Sequence, residues 1–161
     1  MAVEISLNQQ LGQLERRLRA LPKEISGKGA TGPLAKALKA SAEVVKTEAQ
    51  NLVHVGREHS YGRRRRPGTL KRAIIVRRAR NPQTRRGGPQ EVMKVVVRTG
   101  GTKSGFGAWY WHFEEFGTIR REAHPFLRPA LANKKGEALS VFTGKLKRAI
   151  ELAENKVRRM A

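Results

Sequence analysis

The chain has 161 residues, 39% of them hydrophobic and 29% charged, and 34 Lys and Arg against 13 acids give a net charge of +21. That length holds one hydrophobic core, the composition is that of a folded chain, and the charge seeks a polyanion, nucleic acid foremost. The lack of Cys excludes disulfides and thiolate metal sites; no apolar run is long enough to span a bilayer, and Met1–Gln10 lacks the charged and apolar regions of a signal peptide.

In chain order, Leu7, Leu11, Leu14, Leu18 and Leu21 step by four, three, four and three, one face of a helix with a coiled-coil-like seam that Pro22 ends. The stretch 26–33, SGKGATGP, is a Gly-rich loop, and Pro33 suits the first turn of a second helix. Its face is Leu34, Leu38, Ala42, Val45, Ala49 and Leu52, fading near Val53–Gly56. Residues 57–69 form a polar loop. LKRAIIVRRAR (70–80), with β-branched Ile74, Ile75 and Val76, predicts a strand, and 81–90 a turn-rich tip. EVMKVVVRTG (91–100) predicts the returning strand, with Val92, Lys94, Val96 and Arg98 on one face and Met93, Val95 and Val97 on the other.

After a flexible connector, GGTKSGFG, Trp109, Phe113 and Phe116 share one face of a short helix, and Gly117 is its C-cap; alternation of Trp109, Trp111 and Phe113 on a strand is the competing pattern. Pro129 sets the start of a last helix, whose face is Leu131, Leu139, Phe142, Leu146, Ile150, Ala153 and Val157. Unbroken to Arg158 it would span about 45 Å, so either it breaks near Gly136 or Gly144, or its end packs on another subunit. The fold class expected is α+β: two N-terminal helices, a long β-hairpin within a small antiparallel sheet, a short aromatic helix and a long C-terminal helix. We expect a single domain over 1–161, with flexible loops at 22–33, 57–69 and 79–90.

The charge is uneven. Residues 57–103 hold 15 basic and 2 acidic groups and so carry +13 of the +21. Arg63, Arg64, Arg65 and Arg66 are consecutive and repel one another, which favours an anion nearby; Arg offers bidentate donors to phosphate or carboxylate. Arg77, Arg78, Arg80, Arg85 and Arg86 extend the same surface, so these nine are the candidate contacts for DNA or a protein partner. The aromatics Trp109, Tyr110, Trp111, Phe113 and Phe116 could stack on bases or anchor an interface. Core packing is the stronger expectation for Phe113 and Phe116, while Trp109 and Tyr110 fit either role.

His112, Glu114, Glu115, Glu122 and His124 are the one constellation that could serve a metal nuclease. Their spacing is not that of a zincin, and all 13 acids are Glu, so the chain has no Asp for Mg²⁺. Adjacent glutamates on a helix point about 100° apart, and Glu114 and Glu115 are expected to pair with arginines. No Walker A, G-x-S-x-G or dinucleotide-binding motif occurs. We therefore expect no enzyme activity, no catalytic residue, no bound metal and no cofactor.

The run AWYWHFEEFGTIRREAHPFLRPAL (108–131) resembles the signature of the tail-completion, or head–tail joining, proteins of long-tailed double-stranded-DNA phages. In that family an aromatic-rich segment ends in Glu-aromatic-Gly-Thr, here Glu115, Phe116, Gly117 and Thr118. After a short loop comes Pro-Phe-Leu-Arg-Pro-Ala, here preceded by His124: Pro125, Phe126, Leu127, Arg128, Pro129 and Ala130. GTLKRAI (68–74) also resembles the family pattern; residues 1–30 and 140–161 carry little of it.

The resemblance implies a structural neck subunit that assembles on itself as a ring, a hexamer, around the path of the genome. Its partners would be adjacent neck and tail proteins and genomic DNA in the channel, with no membrane. Its place would be the top of the tail in the virion, after assembly in the host cytoplasm. Four consecutive Arg exceed what the motif requires, so the basic surface faces either DNA or acidic neighbours. A stand-alone basic nucleic-acid-binding module is the alternative that charge by itself supports.

Overall fold

The computed structural model describes residues 32–55, 67–79, 92–100 and 107–160, together with Gln9, Gly12, Gln13 and Arg16. Those four are helical. The rest of the helix expected over Leu7–Leu21 lies outside the described residues, as do the loop 22–31, most of the loop 57–69, and residues 80–91.

The elements are α1 (Pro33–Leu52), α2 (Thr69–Ala73), β1 (Ile74–Arg78), β2 (Met93–Val97), α3 (Trp111–Phe116) and α4 (Leu127–Met160). With the two strands paired in one antiparallel sheet, the fold is α+β. No helix among the described residues is long and apolar enough to cross a membrane.

The chain forms two compact units, one of residues 1–41, 78–92 and 139–161 and one of residues 42–77 and 93–138. In the first unit, Ala37 of α1 packs with Leu146 and Ile150 of α4, and Phe142 and Ala153 lie against them. In the second, Ala49, Val53, Leu70, Ala73, Ile74, Ala108, Tyr110, Phe126 and Ala130 form a core that Val95 and Val97 cover. Four of those nine are alanines, whose small side chains let backbones approach closely at interior packing density.

Residues 70–73, expected in a strand, are helical. Gly68, at φ 77°, turns the chain into α2, and Arg72 N–H donates to Gly68 O at 3.0 Å. Leu, Lys, Arg and Ala are strong helix formers, and the i, i+3 spacing of Leu70 and Ala73 buries both on one side. The β-branched run Ile74-Ile75-Val76 then switches the chain to extended structure.

Five residues do not make a stable helix alone, and neighbours hold the end of this one. Gln50 of α1 donates from Nε2 to Lys71 O at 3.0 Å and Ile74 O at 3.4 Å. Arg98 N–H donates to Ala73 O at 2.8 Å.

That bond and the one from Ala79 N–H to Val92 O, also 2.8 Å, set the hairpin register. Ile74 lies opposite Val97 and Val76 opposite Val95, which gives the core-facing side. Met93, Val95 and Val97 thus share a face as expected.

The bounds of α1 agree with the Pro33 start and the fade after Leu52, but its face shifts. Ala35, Ala37 and Ala49 are fully buried, whereas Leu52 is exposed.

α4 begins at Leu127, two residues before the expected Pro129, because its first N–H groups have a partner described below. It is unbroken over 34 residues. Gly136 and Gly144 are helical and exposed, so the expected alternative of a break there does not occur. Ala130, not Leu131, faces the core; Leu131 is 56% exposed.

Candidate functional site

The motif residues meet at one corner of the second unit. α3 carries Glu114 and Glu115 on successive positions, so their carboxylates diverge as helix geometry requires. Glu115 is 2% exposed, and its carboxylate accepts three backbone N–H bonds: Phe126 at 2.8 Å, Leu127 at 2.9 Å and Arg128 at 3.1 Å. A helix leaves its first four N–H groups without partners inside the helix. At α4 three of them reach Glu115, and the fourth position is Pro129, which has no N–H to satisfy. Ala130 N–H then closes the first turn on Phe126 O at 3.3 Å. Negative charge at a helix N-terminus is also favoured by the helix dipole.

The Glu and the second Pro of the motif are thus two halves of one helix start. Phe126 is 1% exposed and anchors that start in the core. Pro125, before it, is exposed. Arg128 adds an ion pair from Nε to Glu115 at 3.5 Å and lies over the Phe116 ring, 4.6 Å from its centroid.

The chain between α3 and α4 is held by its own backbone. Gly117, at φ 75° and ψ −176°, donates to Phe113 O at 3.0 Å as the expected C-cap. Thr118 and Arg121 exchange N–H bonds at 2.9 Å and 3.2 Å across a four-residue turn that leaves Ile119 fully exposed. His124 N–H returns to Glu114 O at 2.7 Å, and Arg121 pairs with the Glu114 carboxylate at 3.4 Å. A side chain at Gly117 would collide with backbone, since its Cβ would lie 2.9 Å from Ala123 N and 3.0 Å from Arg121 O.

The aromatic segment is a helix in its second half, not a strand, with Trp109 and Tyr110 in the turn before it. Tyr110 is buried, Trp111 and Phe113 pack against the core, and Trp109 meets Tyr110 and Phe113 edge-on. Phe116, expected in the core, is 60% exposed. One helical step separates it from Glu115, and burying that carboxylate at the start of α4 turns Phe116 outward, under Arg128.

His112, Glu114, Glu115, Glu122 and His124 do not gather: no group of His, Cys, Asp or Glu that could hold a metal occurs among the described residues. Glu114 and Glu115 are engaged with arginines as expected, but the larger role of Glu115, as acceptor for a helix start, was missed. Its signal was a Glu placed before a Pro-x-x-x-Pro spacing that leaves few N–H groups to satisfy.

Of the arginines singled out as contacts, Arg77 and Arg78 are exposed on β1. The register places Arg77 opposite Lys94 on the outer face. Like charges directly opposite destabilise a strand pair, so this face favours an anion. Arg63, Arg64, Arg65, Arg66, Arg80, Arg85 and Arg86 lie outside the described residues.

Residues 12–117 match the family described as "Bacteriophage HK97-gp10, putative tail-component". The chain belongs to this family of phage tail components. Tail membership carries with it a structural role in the virion. The family match takes in α1, the hairpin, α3 and Glu115, and it ends at Gly117, before the three N–H donors that Glu115 serves. It also reaches back to residue 12, into the N-terminal stretch where the sequence resemblance was thin. No curated protein and no solved structure gives a significant match.

Proposed function

We propose that this tail component is a neck subunit, a tail-completion protein that assembles as a ring and joins the tail to the DNA-filled head. In the ring, a hexamer, the subunits surround the channel through which the genome passes. The observation that carries this reading is the Glu115 corner in a member of a phage tail-component family. It fixes one end of a 34-residue helix to the core by three backbone hydrogen bonds. A subunit that keeps its geometry against several neighbours requires such a rigid joint. Arg77 and Lys94 on the hairpin, with the arginines of 63–66 and 80–86, are then the contacts to acidic neighbours or DNA.

The subunit acts without catalysis in this proposal. Glu115, the most buried of the candidate carboxylates, is occupied by backbone donors, and Glu114 by Arg121. Electron microscopy of virions assembled without the protein tests the neck role: filled heads and separate tails are expected. Normally joined particles would overturn it. Incubation of plasmid with the protein and Mg²⁺ or Mn²⁺ is expected to leave the plasmid uncut.

A further inference from the structure

The C-terminal half of α4 carries a second feature that neither the motif nor the hairpin arginines account for. Lys145, Arg148, Leu152, Lys156 and Arg159 follow spacings of three, four, four and three, and all five are exposed. At about 100° per residue they fall within an arc of roughly 80° and form one ridge. Lys147 and Arg158 lie about 80–100° beyond its edge, on the far side of Glu151. The exposed side of this segment thus presents six cations against one carboxylate, Glu151. None of the six pairs with an acid among the described residues.

Like charges at i, i+3 destabilise a helix. The pairs Lys145/Arg148 and Lys156/Arg159 therefore call for an outside anion. The helix dipole explains basic residues in the last turn, Arg158 and Arg159; it does not reach Lys145, Lys147 or Arg148.

We propose that this ridge docks on the phosphate backbone of duplex DNA, without reading sequence. From Lys145 to Arg159 the ridge covers roughly 21 Å, a length over which one strand of B-DNA carries about six phosphates. Charge complementarity over that length suits a regular line of phosphates. The same segment has no exposed aromatic residue on which the bases of a single strand could stack. It is ill suited to a lipid surface, because its apolar side, Phe142, Leu146, Ile150 and Ala153, is taken up in the core of its own unit. Leu152, 64% exposed, is the one large apolar side chain the ridge offers. The proposal deepens the neck reading, on which it rests for the presence of DNA, by naming a contact surface outside the arginine-rich loops.

The test is titration of the full-length protein with a fluorescent 30-base-pair duplex of random sequence at several salt concentrations. The variant K145Q/R148Q/K156Q/R159Q is compared with a control of equal charge change at exposed sites outside the ridge and the hairpin, K36Q/K39Q/R120Q/K135Q. The ridge variant is expected to lose at least tenfold in affinity and to lower the slope of log K against log salt by roughly three to four, with the control within threefold of wild type.

Equal losses in both variants would show attraction by net charge and overturn the ridge. So would wild-type affinity and slope in the ridge variant. If that variant kept DNA binding but lost binding to polyglutamate or to anionic vesicles, the surface would belong to an acidic protein or to lipid, and the proposal would fall. Should the quadruple variant not fold, K145Q/R148Q and K156Q/R159Q are each read in the same way, with half the change in slope. Failure here with head–tail joining still dependent on the protein would leave the neck role standing.

Discussion

The Glu115 carboxylate accepts the Phe126 backbone N–H at 2.8 Å, and both residues are almost wholly buried. This contact ties α3 to the start of α4, and the same carboxylate goes on to Leu127 and Arg128.

Replacing Glu115 with Ala should cost about 2–4 kcal/mol, because three donors lose their acceptor and at least one is deeply buried. Glu115→Gln keeps the shape and one carbonyl oxygen but not the charge, so it should cost about half as much. Urea denaturation measures both. A midpoint for Glu115→Ala within error of wild type would refute the helix-start role.

Gly68 and Gly117 share a positive φ, 77° and 75°, but differ in surroundings. A Cβ at Gly68 meets nothing within 4 Å, while one at Gly117 meets the backbone of Arg121 and Ala123. Gly68→Ala should therefore cost about 1–2 kcal/mol, the conformational term by itself. Gly117→Ala should cost more than about 3 kcal/mol, since its φ and ψ also lie in a region that is essentially glycine's own. Gly117→Val should be worse still. Equal melting shifts for the two alanine variants would contradict the collision at Gly117.

Gly136 and Gly144 lie inside α4, and a Cβ at either meets nothing within 4 Å. Changing each to Ala should stabilise the protein by about 0.5–1 kcal/mol. Thermal melting is the measurement. A lower melting temperature for either variant would mean that the helix bends at that glycine.

Changing Arg63, Arg64, Arg65 and Arg66 together to Ser removes four adjacent like charges from the polar stretch 57–69 and leaves its one aromatic residue, Tyr61, in place. Melting should stay at wild type, while assembly into particles or contact with DNA should weaken. Sedimentation of the purified protein and head–tail joining in a complementation assay report on the two. An unfolded variant would show that the run is structural.

The fold class, both ends of α1, the inward face of β2 and the helix capped by Gly117 were legible because each rests on a local rule. Those rules are proline at a helix start, alternation on a strand and glycine at positive φ. The errors share one origin. LKRA before IIV looks like the front of a strand until Gly68 and Gln50 supply a start and an end for a helix. Phe116 looks like core until Glu115 takes the inward position beside it. In each case a residue more than ten positions away in the chain, or a backbone group, settled the competition.

The amino-acid order alone determined the excess of cations, the lack of Cys and Asp, and the match of residues 12–117 to a family of phage tail components, since these are properties of composition and spacing. Only the tertiary structure decided that Glu115 is a buried acceptor rather than a surface ion-pair partner. The reason is physical: burial of a carboxylate is tolerable only where donors converge on it. Here those donors are backbone N–H groups 11 to 13 residues further along, which no side-chain pattern displays.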